Sequence, residues 1–132
     1  MSNNDNVQML KMVLIIAAIV SLVYGFGFLF LPGILTKLSG GILVEGSWLR
    51  WSGGVLIAWA IGTLMVYKKP EKQHIFLVSL THAHLLAGLG LLYSWIRQEY
   101  SGATWFVALP TCLLLIIAVL LLWSRNKAKE IL

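Results

Sequence analysis

The stretch MVLIIAAIVSLVYGFGFLFL, residues 12–31, runs for twenty positions without a charged side chain or a proline. At 1.5 Å per residue a helix of that length spans about 30 Å, the thickness of the hydrocarbon core of a bilayer. Working outward, four such runs fill most of the chain: roughly Lys11 to Leu31, Trp48 to Tyr67, His74 to Ile96 and Ala103 to Trp123. The last contains ALPTCLLLIIAVLLLW, residues 108–123. Over all 132 residues, 59% are hydrophobic and 11% are charged, a balance that leaves too little polar surface for an aqueous fold. The alternating ten-residue segments of a membrane barrel are missing, and helices satisfy their own backbone groups in hydrocarbon. The expected fold is therefore all-α: one integral membrane domain over residues 1–132, an antiparallel four-helix bundle.

The four runs differ in how readily they would insert. The third holds His82 and His84 but enough Leu, Ile, Phe and Val to outweigh two neutral imidazoles. The second, with Arg50 and the glycines Gly53, Gly54 and Gly62, relies on its neighbours.

Orientation follows from Lys and Arg. With the N-terminus inside, seven basic residues fall on the cytoplasmic side: Lys11, Lys68, Lys69, Lys72, Arg125, Lys127 and Lys129. Three, Lys37, Arg50 and Arg97, fall outside. By the positive-inside rule both termini are cytoplasmic, in the inner (plasma) membrane. Trp48, Trp51, Trp95, Trp105 and Trp123 lie near run ends, where indoles favour the headgroup layer, and only Trp59 looks deep. The net charge of +5 reads as topology and attraction to anionic lipid, with no basic-aromatic groove for nucleic acid.

The first run exceeds the apolar core of a secretory signal, and Tyr24-Gly25-Phe26-Gly27 offers no small-x-small cleavage site, so it is expected to be retained. Cys112, the only cysteine, excludes an internal disulfide and a zinc cluster and is expected to be a small packing residue. Short turns at Lys68–Lys72 and Arg97–Gly102 make neighbours antiparallel. The longest connection, Pro32 to Ser47, reads either as a short helix in the outer interface or as an irregular loop. The polar Met1 to Gln8 stretch is expected to fray.

Small residues recur every fourth position: Ala17, Ser21 and Gly25 in the first run, and Gly54, Ala58 and Gly62 in the second. Such stripes let backbones approach where lipid removes the hydrophobic drive for association, and these two are expected to face each other or another helix.

His82 and His84 lie about 200° apart on a helix, so they look in opposite directions near the middle of the membrane. An ionisable group at that depth suggests function. Four roles suit a histidine there: a structural polar clasp, a hydrogen bond to a quinone or lipid headgroup, haem ligation, and proton transfer. Bis-histidine haem would need a second subunit, since no other run carries a histidine. The acids Asp5, Glu45, Glu71, Glu99 and Glu130 all fall outside the runs, which disfavours ion-coupled transport. No catalytic residue and no metal site is predicted, because no Asp pair, HExxH or nucleophile elbow occurs. Near the outer face Arg50, with Glu45 and Trp48 close in sequence, could bind an anionic lipid headgroup, with Tyr24 donating its hydroxyl.

The run Tyr24-Gly25-Phe26-Gly27-Phe28-Leu29-Phe30-Leu31-Pro32 and the later Leu49-Arg50-Trp51-Ser52-Gly53-Gly54 resemble the first half of small bacterial four-helix membrane proteins of unknown function. The resemblance implies an inner-membrane four-helix protein, an accessory subunit without assigned chemistry. The expected function is thus an accessory, assembly or lipid-binding component, alone, as a homo-oligomer or with partner membrane subunits. The alternative is a redox-associated subunit contacting quinone or haem through His82 or His84, and the sequence names no cofactor.

Overall fold

Two of the three prolines and a pair of glycines mark breaks between the helices, while Pro110 lies inside the last. A computed structural model of the chain describes residues 3–41, 46–129 and 132. Among these the elements are α1 (Asn3–Phe30), α2 (Pro32–Ser39), α3 (Gly46–Lys68), α4 (His74–Ile96) and α5 (Trp105–Ala128), with a single 3₁₀ turn at Pro70–Lys72 and no strand. Proline disfavours helical geometry in the residue before it, and Leu31 accordingly leaves the helix at φ −122° while Pro32 opens α2. Gly40 closes α2 in the left-handed region at φ 67°, its N–H donating to the Lys37 carbonyl. Pro70 starts the turn between α3 and α4 in the same way.

The helices α1, α3, α4 and α5 are each long and apolar enough to cross a membrane. Their surfaces support that use. On α1 the outward stripe Met12, Ile16, Ile19, Val23, Phe26 and Phe30 is exposed, whereas the inward stripe contains Leu14, Ala17, Ala18, Ser21 and Gly25. Large apolar side chains outside and small ones inside suit a helix in lipid, where the solvent is as apolar as leucine and close approach gives the attraction. In water an apolar face of this extent would be a liability.

Contacts run in the order α3, α1, α5, α4, with α1 packed on both α3 and α5 and α4 packed on α5. The buried core joins the first half of α1 (Leu10, Val13, Leu14), the last turns of α3 (Val66), the first turns of α4 (Leu77, Leu80) and the second half of α5 (Ile117, Leu121, Ala128). The Lys11 ammonium lies 5.6 Å from the Tyr67 ring centre at this end.

Several boundaries differ from expectation. Within the Met1–Gln8 stretch α1 is already helical from Asn3, because no breaker interrupts it and fully buried Leu10 anchors it. Met1 and Ser2 lie outside the described residues. The last helix passes Trp123 to Ala128, with Ser124 and Ala128 both buried. Of the two readings for the long connection, a helix forms over Pro32–Ser39, while residues 42–45, Glu45 included, are outside the described residues. Cys112 does not pack inside: it is exposed on the outer face of α5. At the end away from the core, the Ala103 N–H donates to the Ser39 carbonyl, and Gly102 at φ 128° passes so close that a Cβ would sit 2.6 Å from the same oxygen.

Candidate functional site

Glycine decides how the helices approach. A Cβ built on Gly53 would lie 2.6 Å from the Leu29 nitrogen and 2.7 Å from the Gly25 carbonyl oxygen, so α3 and α1 meet backbone to backbone. Ala17, Ser21 and Gly25 are buried along α1 as a small-residue stripe. The α3 side of the seam differs from the expected stripe: Gly54 and Ala58 are exposed, with nothing within 4 Å of a Cβ on Gly54, and Gly62 meets the Phe76 ring of α4. Gly53 takes their place, one residue and about 100° of helix rotation away. On the other side, Gly88 of α4 receives Leu115 of α5, whose Cδ2 would lie 2.8 Å from an added Cβ.

These two tight seams leave the α3 and α4 pair nearly apart. The two helices touch little, and the Trp59 and Gly62 contacts with Phe76 lie toward the turn that joins them. Beyond that contact lies a cavity of about 240 Å³, walled by all four long helices through Ser21, Tyr24, Leu56, His84, Phe106 and Leu114, among others. A second hollow of about 220 Å³ shares Ser21, Leu56, His84 and Leu114 and extends to Val55 and Ala87. Both of those residues are exposed, so this lobe opens sideways between α3 and α4. Each lobe is smaller than the roughly 300–1,000 Å³ usual for a drug-sized ligand.

His84 sits where the lobes meet and is only 4% exposed. Its Nδ1 lies 2.8 Å from the Leu80 carbonyl oxygen, one turn back on α4. A carbonyl can only accept, so Nδ1 carries the hydrogen and Nε2 of the neutral ring presents a lone pair. Nε2 has no hydrogen-bond partner among the described residues. His82 makes the same bond, Nδ1 to the Val78 carbonyl at 2.8 Å, but is exposed on the opposite face of α4 and lines neither lobe. The opposed directions follow from the spacing; which imidazole turns inward is set by packing on α5.

Tyr24 and Ser21 stand on the α1 wall, and neither hydroxyl has a hydrogen-bond partner among the described residues. Tyr24 therefore shares a chamber with His84. Arg50 lines neither lobe and is exposed near the start of α3, beside the edge-to-face rings of Trp48 and Trp51. Sequence reasoning missed Leu56, Phe106 and Leu114, since ordinary apolar residues carry no signal of the wall they will form. Among the described residues no group of three or more His, Cys, Asp or Glu is placed to hold a metal ion. His84 is also the only imidazole among the described lining residues, so one copy does not offer two axial ligands to a haem.

No family model, no curated protein and no solved structure matches the chain. The resemblance of its first half to small four-helix membrane proteins thus assigns no family.

Proposed function

We propose that this chain is a non-catalytic membrane binding protein that holds a lipophilic small molecule in the two-lobed cavity beside His84. The observation that carries the reading is a nearly wholly apolar chamber with one deeply buried, half-satisfied imidazole. Apolar walls with a few placed polar groups are the usual make-up of a small-molecule site. In this reading the bundle is antiparallel in the inner membrane, with both termini cytoplasmic. The core that gathers alternate helix ends and the Lys-rich turn Lys68–Lys72 support that orientation. Arg50 snorkels to lipid phosphate at the opposite face. The second reading is a redox-associated subunit, in which the unpartnered Nε2 of His84 rather than His82 would accept a hydrogen bond from a reduced, hydroquinone head or ligate haem iron.

Native mass spectrometry of protein released in mild detergent tests the binding. The expected spectrum has one stoichiometric adduct of lipophile mass, retained or restored by added n-dodecanol, and a quinone or haem mass would select the redox reading. Protein that stays bare with n-dodecanol and with decylhydroquinone present overturns the proposal. Orientation is checked separately in a Cys112→Ser background. A membrane-impermeant maleimide applied to right-side-out vesicles should label Glu99→Cys and spare Lys69→Cys; the reverse pattern would invert the topology.

A further inference from the structure

We infer that the molecule held beside His84 is a hydrogen-bond donor: a neutral hydroxyl on an apolar body, with the body leaving between α3 and α4. The inference rests on the binding reading above and names the chemistry of the head. Three observations lead to it. The Leu80 carbonyl fixes the hydrogen on Nδ1, so the ring edge turned away from the α4 backbone carries an acceptor and nothing else. No Lys, Arg, Asp or Glu is among the described residues lining either lobe, so a carboxylate or phosphate head would enter without a counter-charge. The α1 wall supplies the hydroxyls of Ser21 and Tyr24, each able to donate or accept.

A hydroxyl head satisfies this arrangement from both sides. Its O–H donates to Nε2, and its oxygen accepts from Tyr24 or Ser21. An ether or ketone of the same shape can accept from those hydroxyls but leaves Nε2 unpaired, which makes the imidazole the element of discrimination. The tail is placed by the second lobe, where Val55 and Ala87 form an exposed rim between α3 and α4, which touch little. Two sources share this chemistry, an aliphatic alcohol and a phenolic or hydroquinone head.

The test is equilibrium binding to the full chain in lipid nanodiscs with matched probes: n-dodecanol against its methyl ether, and decylhydroquinone against its dimethyl ether. In wild type the hydroxyl member of at least one pair should bind about tenfold more tightly than its ether. The pair with the larger ratio identifies the source. His84→Phe should bring the ratio near one while both members still bind, and His84→Gln should restore part of it, because an amide oxygen can accept. Equal binding of hydroxyl and ether in wild type overturns this inference and leaves the binding reading intact. Binding of none of the four probes overturns the binding reading itself. Should the variants fail to fold, ¹⁵N shifts of wild-type His84 decide: a hydrogen on Nδ1 and a bare Nε2 that moves only with the hydroxyl probe support the inference, and a hydrogen on Nε2 overturns it.

Discussion

Gly53→Ala should destabilise the folded protein by about 1–3 kcal/mol, the range for over-packing a tight interior, while the neighbouring Gly54→Ala should be neutral or slightly stabilising. The atoms that a Cβ on Gly53 would strike, the Leu29 nitrogen and the Gly25 carbonyl, belong to the backbone of α1. Relief therefore requires two helices to separate, not a side chain to rotate. Gly25→Ala should fall between the two, because its nearest obstacle at 2.8 Å is the Ile57 side chain, with the Gly53 carbonyl at 3.1 Å. Denaturant titration of the three variants in mixed micelles checks the order. A Gly53→Ala protein as stable as wild type would mean that α1 and α3 do not cross at these glycines.

The second large effect concerns the chamber. Leu56 is half-buried and belongs to the walls of both lobes, so Leu56→Trp places an indole in the space a ligand would take. Binding of the dodecanol probe should weaken at least about tenfold, the equivalent of one lost hydrogen bond. Thermal stability should hold or rise, since filling a void recovers dispersion contacts. That combination separates occlusion from misfolding, which would lower both. Undiminished one-to-one binding by a stable Leu56→Trp protein would move the site elsewhere.

The four long apolar helices were legible because length and apolarity act residue by residue: the run from Met12 to Leu31 needs no partner to declare itself. Helix ends were less so. The continuation of α5 to Ala128 depends on Ser124 and Ala128 being covered by other elements, and sequence cannot register cover. The small-residue stripes illustrate the same limit. Ala17, Ser21 and Gly25 form one spaced series and lie buried, but α3 offers two adjacent glycines, and the choice of Gly53 over Gly54 is a rotation of the helix about its own axis fixed by its neighbours. The histidines divide likewise: opposed directions follow from geometry within one helix, whereas the inward turn of His84 follows from the seat of Gly88 on Leu115. The chamber had no sequence signature, because it arises from what α3 and α4 fail to do.

In the proposed membrane setting, a mouth between α3 and α4 meets acyl chains and not water. A guest arriving there leaves one apolar medium for another, so its tail gains almost nothing from the transfer, and length or bulk is a poor basis for choosing among lipids. Selection falls to the few polar atoms within. The proper scale of affinity is then abundance per lipid molecule, and a resident held by two hydrogen bonds can be replaced as the make-up of the membrane shifts. Such a protein would report on, or buffer, the composition of the bilayer around it.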